Sequence, residues 1–171
     1  MDRAELAHRI YAASHLTGEF TLRSGVVSNE YFDKYLFEAE PALLRAIAEA
    51  MASAVPAGCD ALAGLELGGI PIATMLSQIT GVPALFVRKQ AKTYGTCKLA
   101  EGGEIDGRNV LIVEDVITSA GAVLDAAREL RARGARLARV VCVIDRESGG
   151  RDNLTADGLT LDALFRMSEL R

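Results

Sequence analysis

Four short apolar runs separated by helix-patterned stretches constrain this chain more than any other feature. They are Ala61-Leu62-Ala63-Gly64, Ala84-Leu85-Phe86-Val87, Val110-Leu111-Ile112-Val113 and the stretch from Arg139 to Ile144. A strand with one wet face alternates apolar and polar residues, whereas an unbroken apolar run asks for cover on both faces. Helical patterning fills the intervals, from Ile70 to Ile79 with Gly81 as a stop, and from Ala122 to Arg133 with Gly134 as a stop. Strands alternating with helices predict an α/β fold, a mainly parallel central sheet flanked by helices.

The amino-terminal third reads differently. Asp2 caps a first helix carrying Leu6, Ile10 and Ala13 at helical spacing, and Gly18 closes that region. Phe20-Thr21-Leu22-Arg23-Ser24-Gly25 reads as a short strand running into a turn, and Tyr31-Phe32-Asp33-Lys34-Tyr35 as its strand-like partner, which predicts a small hairpin-like hood. Pro41 opens a helix to about Ala54 with Leu44, Ile47 and Met51 on one face. One domain over residues 1–171 is expected, with a hood at 1–40 and a core at 60–146. The long polar stretch from Arg88 to Gly107, holding Arg88, Lys89, Lys92 and Lys98, reads as a mobile functional loop.

Composition narrows the function. The formal net charge of −4 argues against an electrostatically driven nucleic-acid binder. No apolar stretch approaches the ~20 residues of a membrane span, and the first 20 residues hold no secretory signal. Cys59, Cys97 and Cys142 are scattered and form no CxxC pair, which fits a reducing cytoplasm. His8 and His15, seven apart, read as helix-surface residues; with no Cys/His cluster at ligand spacing, no protein metal site is expected.

The segment that carries chemistry is Val110-Leu111-Ile112-Val113-Glu114-Asp115-Val116-Ile117-Thr118-Ser119-Ala120-Gly121-Ala122. A buried strand ends in two acids, followed by a small, hydroxyl-bearing turn that opens a helix. Ligands of parallel α/β sheets bind beyond the carboxyl ends of the strands. Thr118 to Gly121 would offer backbone N–H groups and hydroxyls to a phosphate, and Glu114 and Asp115 would accept hydrogen bonds from ribose hydroxyls. Acids beside a phosphate cup describe a site for ribose 5-phosphate. The bland alternative is a strand end and a helix cap; the combined strand, acids, turn and helix favour a site.

Residues 110–122 resemble the phosphoribosyl pyrophosphate (PRPP) motif of the type I phosphoribosyltransferases, and most of the chain is similar to the orotate phosphoribosyltransferases among them. Phe20-Thr21-Leu22-Arg23-Ser24-Gly25 resembles their amino-terminal Phe-Thr-Leu-Lys/Arg-Ser-Gly segment. Leu67-Gly68-Gly69-Ile70-Pro71-Ile72-Ala73 is similar to their pyrophosphate-side loop, Val87-Arg88-Lys89-Gln90-Ala91-Lys92 to the start of their catalytic loop, and Asp145-Arg146-Glu147 to the segment that helps hold orotate. The chain departs from the family at Tyr94, where Lys-x-His-Gly is common, at Gly68, where Lys is common, and at Ala120, where Gly is common. Its first acid is Glu114 rather than Asp.

The resemblance implies a type I phosphoribosyltransferase fold and transfer of ribose 5-phosphate from PRPP to orotate. Lys92, Arg88 and Asp115 would be catalytic. PRPP would lie against Arg88, Lys89, Lys92, Gly68, Gly69, Glu114, Asp115 and the run Val116, Ile117, Thr118, Ser119, Ala120, Gly121 and Ala122. Orotate would meet Arg23, Tyr31, Phe32, Thr118 and Arg146, with Asp33 and Lys34 as lesser candidates. Arg146 also has an ion-pair alternative, and Tyr31 and Phe32 a core-aromatic one. Mg²⁺ would ride on PRPP, and a homodimer would share its catalytic loops across subunits. Competing expectations are the same chemistry on a purine or another pyrimidine, and a PRPP-sensing regulator on the same fold.

Overall fold

The architecture below is that of a computed structural model, which describes residues 1–22 and 24–170. Helix α1 (Arg3–Ser14) starts where Asp2 accepts a hydrogen bond from the Glu5 N–H, at 2.8 Å. It ends at Ser14, and Gly18 lies inside the next element instead of closing the helix. That element, β1 (His15–Thr21), pairs antiparallel with β2 (Val27–Phe32) as a separate two-stranded sheet, the expected hood. His15 is therefore a strand residue, stacked on Tyr11 and 2.7 Å from Glu30 Oε2.

The strand reading of residues 31–35 fails after Phe32. Asp33 accepts from the Tyr35 N–H and caps a short helix, α2 (Lys34–Ala39). The Asp33 carboxylate competes for local N–H groups better than a strand ladder does, and that favours a helix start. Glu40 then caps α3 (Pro41–Met51), and one 3-10 turn carries the chain to Ala54. On α3, Leu43, Ile47, Ala48 and Met51 are buried, while Leu44 sits only at the edge.

The main sheet holds β3 (Ala61–Leu65), β4 (Ala84–Val87), β5 (Ala100–Glu101), β6 (Val110–Ile117), β7 (Arg139–Asp145) and β8 (Thr160–Arg166), in the order β5-β4-β3-β6-β7-β8. All neighbours are parallel except β5, which runs antiparallel against β4. Helices α4 (Gly69–Thr80), α5 (Gly121–Ala132) and α6 (Gly150–Ala156) complete the chain, and Gly81 closes α4 at φ 75°. Alternate residues of β6 feed two cores. Val110 and Ile112 pack with α5 on one face, and Leu111 and Val113 pack with α1, α3 and α4 on the other. Residues 150–166 carry no element in the sequence pattern, yet α6 forms there and β8 extends the sheet, and β5 falls within the stretch expected to be loop. No helix among the described residues is long and apolar enough to cross a membrane.

Candidate active site

Strand β6 does not end at its acids. It continues through Val116 and Ile117, so Glu114 and Asp115 stand inside it, two positions short of its carboxyl end. The pleat sends adjacent side chains to opposite faces. Asp115 is 0% exposed and points toward α2, whereas Glu114 is half-buried. The expectation of two acids open beside a cup therefore needs correction: Asp115 is covered. Lys34 of α2 lies over it, with Nζ 2.6 Å from Oδ2, and Glu38 of the same helix is buried beside it.

Electrostatics follow from this crowding. Burial raises Glu38 to about 9, and Asp115 adds to the shift; burial also raises Glu114, again with Asp115 adding to it. For Lys34 burial works the other way, but the hydrogen bond and charge of Asp115 outweigh it and lift the ammonium above its ordinary value. Among the described residues no group of three or more His, Cys, Asp or Glu side chains is placed to hold a metal ion. The acids here are matched by Lys34.

Beyond Ile117 the chain turns through Thr118 and Ser119, both exposed, into α5. Ala120 takes a left-handed conformation at φ 66°, a region where an L residue costs about 1 kcal/mol or more over Gly. The amino end of α5 thus opens at the carboxyl edge of the sheet, with N–H groups free of intrahelical partners. Two supports were not foreseen. Asn153 of α6 donates to the Ser119 carbonyl at 2.9 Å, and a Cβ on Gly150 would sit 2.3 Å from the Thr118 carbonyl oxygen, so α6 presses directly under the turn. Arg146 is exposed next door, its N–H donating to the Ile117 carbonyl at 2.8 Å, while Asp145 is engaged by Arg151 at 3.2 Å.

Gly68 and Gly69 enter the site through closeness of approach. A Cβ on Gly68 would fall 1.6 Å from Asp115 Oδ2, and one on Gly69 2.3 Å from the Val113 carbonyl oxygen. Glu66, just before them, accepts a hydrogen bond from the Lys89 N–H and ties this turn to the basic loop. Side chains of that loop gather elsewhere. Lys92 Nζ lies 2.5 Å and Arg88 Nε 3.3 Å from Glu101 of β5, and the hydrogen bond from Lys92, joined by that from Arg88 and by both charges, holds its carboxyl below the usual range. Among the described residues no hydrogen bond or ion pair joins the Arg88 or Lys92 side chain to Glu114, Asp115 or the turn; both pair with Glu101. In the hood, Tyr31 is exposed against Phe20, at 5.5 Å between centroids, while Phe32 faces inward toward Phe37 and Tyr11. Arg23 lies outside the described residues. A groove of about 410 Å³ lined by Cys59, Asn109, Val110 and Arg139 sits at the opposite, amino ends of β6 and β7.

The phosphoribosyl transferase domain family matches residues 37–160. Over 98% of its length the chain is 57% identical to the orotate phosphoribosyltransferase of a Nocardioides species, covering 93% of that protein. The chain belongs to the orotate phosphoribosyltransferase family. An orotate phosphoribosyltransferase of Methanocella arvoryzae is 46% identical over 90% of the chain and 87% of its own length. Among solved structures, the Mycobacterium tuberculosis orotate phosphoribosyltransferase bound to Fe(III) dicitrate superposes with a TM-score of 0.90 at 32% identity, covering 99% of both chains. The same enzyme with PRPP gives 0.84 at 29% identity, again covering 99% of both. The type I phosphoribosyltransferase fold that the resemblance of residues 110–122 implied is thus the fold of this chain.

Proposed function

We propose that this chain transfers the ribose 5-phosphate group of PRPP to orotate, giving orotidine 5′-monophosphate and pyrophosphate in pyrimidine (UMP) biosynthesis. The observation that carries the reading is the run from Glu114 to Gly121, with acids on β6 leading into a small turn at the start of α5, in a chain of this family. Donors at a helix start favour a phosphate, and acids beside it favour the ribose hydroxyls. Glu114 offers the more accessible carboxyl, and Asp115 takes its share once the Lys34 ammonium yields. Val116, Ile117, Ala120 and Ala122 shape the backbone around the phosphate, and Gly68 and Gly69 leave room for pyrophosphate. Within residues 1–40 the β1–β2 hairpin serves as the hood, over a PRPP-binding core at 60–146.

Arg88, Lys89 and Lys92 oppose the charge that develops on the departing pyrophosphate, where electrostatic stabilisation is most effective. Arg88 and Lys92, held on Glu101 in their own chain, suit a role at the site of a second copy, so a homodimer belongs to the reading. Orotate is a flat anion; Arg146 supplies a bidentate cation, Thr118 a hydroxyl, and Tyr31, Phe32 and Arg23 the hood side. Magnesium enters as cargo of PRPP, neutralising its oxygens, in a cytoplasmic setting.

The test is a magnesium-dependent PRPP assay that follows orotate by its ultraviolet absorbance, run beside uracil, hypoxanthine, guanine, xanthine and adenine. PRPP-dependent loss of orotate alone is the expected result. Turnover of another base keeps the mechanism and replaces the substrate. Silence across the panel with PRPP bound overturns the reading in favour of a regulator.

A further inference from the structure

Glu38 is an acid that the ordinary reading of a surface helix passes over. Helix α2 turns it onto β6, where it is 7% exposed and its Oε1 has no hydrogen-bond partner among the described residues. Facing it is Asp115 Oδ2, which has the Lys34 ammonium at 2.6 Å and is otherwise unbonded. A Cβ on Gly68 would lie 1.6 Å from Asp115 Oδ2 and 3.0 Å from Glu38 Oε1, so the two oxygens flank one point against the backbone. Two buried carboxylates at such range do not both ionise; one proton between them turns repulsion into a charge-assisted hydrogen bond. The anion belongs on Asp115. It has Lys34 in direct contact as counter-ion, and its Oδ1 accepts the Val116 N–H at 2.5 Å, whereas the Lys34 charge acts on Glu38 without a direct ion pair and Glu38 Oε1 accepts no hydrogen bond among the described residues.

We propose that Glu38 is a positioning residue for the transfer reaction, a neutral acid that donates to Asp115 and holds it anionic and oriented for the ribose hydroxyls of PRPP. The inference rests on the reading of Asp115 as a ribose-binding acid. The other titratable and charged groups near the pair are Lys34 and Tyr35 on α2 and Glu114 on β6. Glu66 is turned onto the Lys89 N–H, α4 has no titratable side chain, and Arg9 of α1 and Glu40 before α3 engage each other at 3.2 Å.

The experiment measures PRPP affinity by calorimetry with magnesium and without base, between about pH 7 and 10, for wild type, Glu38→Gln, Glu38→Leu and Asp115→Asn. Removing a hydrogen bond to a buried anion in Glu38→Leu should weaken PRPP about tenfold or more near neutrality. Glu38→Gln, which keeps a donor, should restore most of that affinity. Wild-type affinity should fall as pH rises through about 9, where Glu38 loses its proton, and Glu38→Gln should lack that fall. An alkaline fall unchanged in Glu38→Gln, or a Gln variant as weak as the Leu variant, overturns the proposal; the Gln profile alone decides if the Leu variant does not fold. Wild-type binding by Asp115→Asn would instead remove the ribose reading beneath it, whereas a weakened Asp115→Asn beside an unaffected Glu38→Leu would remove only the role of Glu38.

Discussion

A buried acid that keeps its proton leaves a mark on stability as well as on binding. The Glu38 carboxyl titrates near its ordinary value of 4.5 in the unfolded chain and at about 9 in the native one. Between those values the native state holds a proton that the unfolded chain has released, so stability is full below the lower value and declines as pH rises toward the upper one. Glutamine has no proton to lose. Glu38→Gln should therefore raise the melting temperature relative to wild type, by little near about pH 5 and by more near about pH 8. Thermal melts at the two pH values decide; an offset independent of pH means that Glu38 is not the titrating group. Nothing in Leu36-Phe37-Glu38-Ala39 announces this. An acid in a short polar-flanked helix reads as solvated, and only the docking of α2 against β6 brings Glu38 under Asp115. Gly68 was legible only as a departure from a motif where Lys is common, and its consequence was not legible: φ there is −69°, an ordinary value, and a Cβ would fall 1.6 Å from Asp115 Oδ2 as that carboxylate is placed in this chain.

At the scale of elements, β3, β4, β6 and β7 were legible because burial on both faces leaves an unbroken apolar run, and α4 and α5 because glycines stop them. The strands and helices that escaped lack those signals. Strand β5 is two residues long, α6 has only Gly150 and Leu154 buried, and β8, at the sheet edge, buries only Leu161 and Phe165 fully. The loop between β4 and β5 had a legible charge but no legible anchor. Glu101 gathers Lys92 and Arg88, yet all three remain open to water, and an ion pair so solvated contributes little to stability. Glu101→Gln should accordingly leave the melting temperature nearly unchanged while loosening residues 88–99. Limited proteolysis reads this directly: faster cleavage within the loop at constant global stability is expected. Cleavage unchanged from wild type would mean that the loop is held by its backbone, through Arg88 to Leu99 and Lys92 to Lys98, and not by Glu101.

At the scale of the whole molecule, the question is where the loop cations act. In one chain Arg88 and Lys92 sit on Glu101 and pair with neither acid of β6, while large apolar side chains stand in water, Tyr94 on the loop at 70% exposure, Val26 and Val27 on the hood, and Leu67 in the turn before α4. Both facts suit a symmetric pair in which each loop completes its neighbour's site. Two damaged chains test this. Lys92→Ala removes a loop cation, and Ser119→Asp places a negative charge in the exposed turn that would hold the phosphate. Each variant alone should be nearly inactive. Mixed in equal amounts and allowed to exchange, half the dimers are mixed, and in each of these one site joins an intact turn to an intact loop. Recovery to about one quarter of wild-type activity is the outcome for a loop acting across the dimer. A loop acting on its own chain leaves both sites of every mixed dimer damaged, and the mixture stays as inactive as its parts.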